Sequence, residues 1–129
     1  MTARERTRRA LPAALMILGV SQLALGLWMA ISPGSFYDAL GPFGDRNDHY
    51  LADVATFCLA LGAVALVAAR RPAWRLPVLA FAAIQYTLHA VNHLVDIGEG
   101  DPAWIGPFDF VTLALTAAGL AWLAEVARR

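Results

Sequence analysis

Histidine and aspartate cluster at three places in this 129-residue chain. His49 and Asp53 stand four residues apart, His89, His93 and Asp96 follow the spacing i, i+4, i+7, and Asp109 opens a run of apolar residues. Two neutral imidazoles one helical turn apart can grip a single metal ion, and carboxylates from neighbouring elements can complete a shell of three or four donors. On this view His49, Asp53, His89, His93 and Asp109 are candidate metal ligands. Three imidazoles with one or two carboxylates suit Zn²⁺, Fe²⁺ or Cu²⁺ better than Mg²⁺ or Ca²⁺. Haem held by His49 together with His89 or His93 is a further reading of the same residues.

The competing reading needs no ion. Asp, His and Asn side chains can form a hydrogen-bond network that only pins helices together, as in a non-catalytic membrane accessory or scaffold protein. No His-Glu-x-x-His motif, Gly-rich phosphate loop, nucleophilic-serine elbow or Cys-x-x-Cys pair is present. The residues therefore point to a site without naming a reaction.

The elements that must position this site are apolar. Hydrophobic residues make up 59% of the chain and the mean hydropathy is +0.55, too high for an ordinary soluble domain of this length. Apart from Asp53 and Asp109, charges avoid four stretches, about 11–31, 50–69, 76–95 and 108–124. Each approaches the ~20 residues that a helix needs to cross a ~30 Å hydrocarbon core. Only helices and closed barrels satisfy their backbone in lipid, and these runs lack the alternation of barrel strands. The expected fold is all-α: one integral membrane domain over 1–129, a four-helix transmembrane bundle running up-down-up-down.

Arginine sets the expected orientation, since the chain has no lysine. Arg4, Arg6, Arg8, Arg9, Arg70, Arg71, Arg75, Arg128 and Arg129 fall at one end of such a bundle, and only Arg46 at the other. The positive-inside rule then puts both termini in the cytoplasm. Eight of the ten acids lie on or near the outer side, so a net charge of zero hides a dipole along the membrane normal. The partner expected from this pattern is the lipid bilayer, with anionic lipid at the basic face. Nothing suggests nucleic acid. A homo-oligomer or a larger membrane complex is left open.

Met1–Arg9 with the apolar run after it has the outline of a signal peptide. The run is long for that role and Pro33 spoils the cleavage context, so a retained first helix is expected. Cys58 is the single cysteine, which excludes an internal disulfide. It lies about 180° around the helix from His49 and is expected to pack among apolar residues.

Local signals mark the ends of elements. Pro12 and Pro77 suit first turns, and Asn47 suits a helix N-cap. Residues 35–40 before Gly41-Pro42 suit one or two helical turns with a glycine stop. That outer segment, with Phe36, Tyr37, Leu40 and Phe43, is read either as a headgroup anchor or as a lid over the bundle mouth. Trp28 and Trp104 fall near the outer interface and Trp74 and Trp122 near the inner one. Gly19, Gln22 and Gly26 share a face of the first span. Small residues allow close helix approach, and a mid-membrane Gln needs an interhelical partner.

At 100° per residue, His49, Asp53 and Thr56 form one stripe. Gln85, His89, Asn92 and Asp96 form a second with His93 beside it, and Asp109, Thr112 and Thr116 form a third. Polar groups facing lipid are costly, so all three stripes are expected to turn inward and meet in a funnel open to the outside.

The motifs Ser32-Pro33-Gly34-Ser35-Phe36-Tyr37, Asn47-Asp48-His49-Tyr50-Leu51-Ala52-Asp53 and Leu88-His89-Ala90-Val91-Asn92-His93-Leu94 carry a resemblance. The chain resembles small four-span membrane proteins of actinobacterial type, loosely DoxX-like in size. The resemblance implies a protein of the bacterial plasma (inner) membrane and brings no activity or cofactor with it. Arg- and Ala-rich, lysine-free usage fits a high-GC bacterium.

Overall fold

The computed structural model describes residues 3–129. Four long helices and one short one make up the chain: α1 (Ala3–Ile31), α2 (Pro33–Leu40), α3 (Asp48–Arg70), α4 (Pro72–Val95) and α5 (Ile105–Arg128). No strand ladder occurs among the described residues, only an isolated bridge between Phe43 and Gly100. The four long helices are each long and apolar enough to cross a membrane. At ~1.5 Å per residue, a 24-residue helix is about 36 Å long, which exceeds the ~30 Å apolar core.

Most helix ends follow local chemistry, although Pro12 and Pro77, expected in first turns, lie inside α1 and α4 because both helices start earlier than the apolar runs. Asn47 accepts from the backbone N–H groups of His49 and Tyr50 and so caps α3. Pro72 stands in the first turn of α4, where its missing N–H is harmless, and Pro33 does the same for α2. Gly41 ends α2, its N–H bonded to the Tyr37 carbonyl. At the basic end the helices extend past the apolar runs because arginine is itself a good helix former. Hence α1 begins at Ala3 rather than Leu11, within the basic segment.

Direction alternates along the chain. Arg8 and Arg9 near the start of α1, Pro72 and Arg75 in the first turn of α4, and Ala127 at the end of α5 line one cleft. At the other end, Phe43 from the α2–α3 loop, His93 near the end of α4 and Asp109 near the start of α5 come together. The nine clustered arginines of the sequence thus belong to the end at which α1 starts, α3 meets α4 and α5 stops.

Packing is uneven. α1 lies closely along α3 and α4 along α5, with a sparser seam between α3 and α4. Glycine permits the first pairing. A Cβ on Gly19 would sit 3.1 Å from the Gly62 carbonyl oxygen, and one on Gly62 2.9 Å from that of Gly19, so the two backbones touch. The main apolar core (Leu15, Leu61, Ala65, Leu79, Ala82 and Leu120 among others) fills the arginine-side half. Large apolar side chains face outward elsewhere, with Ile17, Ile31, Leu88, Val95 and Leu115 each more than 60% exposed. In water such a belt would aggregate, and in lipid it is the expected solvent-facing surface.

Gln22 shows how polarity is handled at membrane depth. It is buried, and its amide donates to the Tyr86 hydroxyl at 2.6 Å, tying α1 to α4. A long amide has no good partner on its own helix, so it reaches across to another one.

Candidate metal centre

The five candidate ligands separate into two groups. His89 and His93, one turn apart on α4, bring their Nε2 atoms to 3.2 Å. Behind His93, its Nδ1 lies 3.8 Å from the Asp109 carboxylate on α5, and both side chains are largely buried. That separation exceeds a direct hydrogen bond, and the buried Nδ1 has no other partner. His49 and Asp53 form a pair of their own, Nε2 to Oδ2 at 3.6 Å, with side chains 82% and 65% exposed. Among the described residues, no hydrogen bond, ion pair or ring contact joins this pair to His89, His93 or Asp109. The haem reading needs His49 opposite His89 or His93, and nothing in the structure links them.

Packing marks the division: the His49 and Asp53 side chains are mostly exposed on the surface of α3, whereas those of His93 and Asp109 are enclosed where α4 meets α5. His89 lies about 6 Å deeper than His93, and His93 is itself close to the end of α4. Asp109 sits one turn inside α5, whose entry is fixed by close approach. A Cβ on Gly106 would collide with the Ile97 carbonyl oxygen, so only glycine lets the loop and helix come together there.

The three expected stripes do not all meet inside the bundle, because hydroxyls need no distant partner. Thr112 donates to the Phe108 and Asp109 carbonyls, Thr116 to Thr112, and Thr56 to Asp53. Each threonine is satisfied by its own helix and remains exposed. Asn92 is exposed as well, and Asp96 ends α4 with its N–H on the Asn92 carbonyl.

Two residues of this region were not marked as site residues by the sequence. Phe43 packs its ring edge-on against His93 with centroids 4.8 Å apart, and it is only half-exposed. Its backbone pairs with Gly100, while the Asp101 N–H donates to the Pro42 carbonyl. The α2–α3 loop therefore crosses to the α4–α5 loop and covers the imidazole, which is the lid arrangement. Tyr37 steadies that loop by donating to the Gly44 carbonyl. α2 is anchored in turn, with the Trp28 indole donating to Ser35 and packing edge-to-face on Phe36. The sequence signal was an aromatic held between Gly41-Pro42 and Gly44, a turn-bound position rather than a free anchor.

Either Nε2 can carry the shared proton of the 3.2 Å contact; when His89 Nε2–H donates, the His93 proton sits on Nδ1, on the side of Asp109. A ligating histidine commonly presents its second nitrogen to a carboxylate in this way, and the carboxylate fixes the tautomer. Asp109 thus faces the ring nitrogen of His93 opposite to the one that meets His89. Among the described residues, no group of three or more His, Cys, Asp or Glu side chains is gathered to hold a metal ion. The α4 pair brings two imidazole nitrogens together, with His49 and Asp53 apart from them.

No protein family, curated protein or solved structure compared with the chain matches it.

Proposed function

We propose that this chain is a plasma-membrane protein that binds one transition-metal ion through His89 and His93, in a metal-handling role. The 3.2 Å separation of the two Nε2 atoms supports the reading. Two nitrogens each ~2.0–2.1 Å from a tetrahedral ion lie roughly 3.3 Å apart, so the pair needs little movement to bind. The Asp109 carboxylate, 3.8 Å from His93 Nδ1, favours a proton there and leaves Nε2 open to the ion. Two protein donors leave positions for water or a small ligand. Such a site exchanges its metal more readily than a closed four-ligand structural site. Imidazole donors favour Cu²⁺ and Zn²⁺ over Fe²⁺.

Titration of detergent-purified, metal-free protein with Cu²⁺ and Zn²⁺ tests this directly. A rise in melting temperature is expected, because a ligand stabilises the state that binds it. The rise should shrink as pH falls from neutral, since protons compete for the imidazole nitrogens. His89→Ala and His93→Ala should each abolish the effect, and Asp109→Asn should weaken affinity by about 10–100-fold. The second reading, a scaffold whose polar unit only joins α4 to α5, is favoured by Phe43 covering His93. Folded protein with no metal-dependent shift at neutral pH would leave that reading standing.

The orientation proposed with this function puts both termini in the cytoplasm and the histidine end outside. In a Cys58→Ala background, an impermeant thiol reagent should label Glu99→Cys and spare Ala73→Cys. The reverse pattern would invert the topology.

A further inference from the structure

At the end opposite the histidines, the starts of α1 and α4 and the last turn of α5 surround a half-open cleft of about 390 Å³. Arg8, Arg9 and Arg75 line it, with Leu11, Pro12 and Ala127. Among the described residues no ion pair engages these three arginines, and Glu125 on the adjoining helix end is taken by Arg128 and Arg129. Arg75 donates from Nη2 to the Ala69 carbonyl at 3.4 Å, while its Nε–H is buried without a partner. A buried donor left unpaired is costly, and three guanidiniums around one cleft repel one another. An anion relieves both.

We propose that this cleft binds a phosphate group, carried either by an anionic phospholipid headgroup or by a soluble phosphate. Guanidinium forks match phosphate oxygens in paired hydrogen bonds. Three positive charges suit a doubly charged phosphomonoester better than a singly charged diester. The cleft opens at the first turn of α4, whose positive dipole end adds to the attraction. Its volume falls within the range of small-ligand pockets, and Leu11, Pro12 and Ala127 supply an apolar wall for the group that carries the phosphate. This site is separate from the histidine pair and stands whether or not metal binds there.

The test uses the full chain in neutral detergent, titrated with phosphatidic acid, with phosphatidylcholine and with inorganic phosphate, and followed by thermal shift. Phosphatidic acid should stabilise the protein and phosphatidylcholine should not. Arg8→Gln combined with Arg9→Gln should weaken binding by at least about tenfold, since each lost charged hydrogen bond is worth that order. Arg75→Gln should do the same, and the double variant keeps the test informative should loss of the Ala69 contact unfold the single one. Arg6→Gln, exposed and outside the cleft, should bind as wild type. A shift with inorganic phosphate alone assigns the cleft to soluble phosphate, and a shift with phosphatidic acid only assigns it to lipid. Either result supports the cleft. No shift with either ligand, or an equal loss in Arg6→Gln, would overturn it in favour of diffuse surface charge.

Discussion

The chain contains two histidine–aspartate pairs of nearly the same length and opposite character. His49 and Asp53 are 3.6 Å apart and mostly exposed, while His93 and Asp109 are 3.8 Å apart with side chains only 15% and 13% exposed. Sequence spacing makes the first pair cheap, because i and i+4 on one helix meet with no help from tertiary structure. The second pair joins two helices, where α5 enters against the α4–α5 loop at Gly106 and Phe43 packs edge-on against the imidazole. The short distance is common to both and decides nothing. What differs is how many other elements must be in place, and that number is what gives the second pair a candidate function.

The comparison breaks most sharply at Gly106. An alanine there collides with backbone atoms of Ile97, which lack the freedom of a flexible side-chain tip. Gly106→Ala should therefore cost on the order of 2–3 kcal/mol and displace Asp109 from His93, weakening metal binding with it. The control is Gly98→Ala in the α4–α5 loop, where an added Cβ meets nothing within 4 Å. Denaturation in detergent should separate the two variants clearly. Equal stability would mean that α5 does not depend on this close approach.

Next in size is the aromatic cover. Phe43→Ala removes an edge-on ring contact with His93, a type of contact worth ~0.5–1.5 kcal/mol beyond area burial. Stability should fall by about 1 kcal/mol, and His93 should become more accessible to a histidine-modifying reagent. His49, already exposed, should react at its wild-type rate. Unchanged protection of His93 would show that the loop does not act as its cover.

These cases also mark what the sequence could express. The four spans, the Asn47 cap, the glycine stop of α2 and the need of Gln22 for a partner all follow from local rules, and all appear in the structure. So does the His89–His93 pair, since helical spacing alone brings it together. The inward turn of every polar stripe was inferred from the cost of polar groups in lipid, and that cost depends on two things the pattern omits. One is which face packing leaves exposed, as at His49 and Asp53. The other is self-satisfaction, which relieves Thr56, Thr112 and Thr116 through their own helix carbonyls. Tyr86 as the partner of Gln22, and Phe43 as the partner of His93, are pairings 64 and 50 residues apart in the chain. Helical periodicity carries no information across such separations, and only packing decides them.

The smallest expected effect belongs to the exposed pair. His49→Ala removes an ion pair that water and headgroups already compete for, and such pairs are typically worth well under ~1 kcal/mol. The Asn47 cap should survive, because it is built from the Asn47 side chain and the backbone N–H groups of His49 and Tyr50, which the substitution leaves in place. Stability should change by no more than about 0.5 kcal/mol, and any such change should fade with added salt, which screens exposed charges. Metal affinity should match wild type, because His49 has no contact with the α4 imidazoles. A clear loss of metal binding in His49→Ala would mean that α3 swings its first turn onto α4 when the ion arrives. The two pairs would then be halves of one site rather than separate products of spacing and packing.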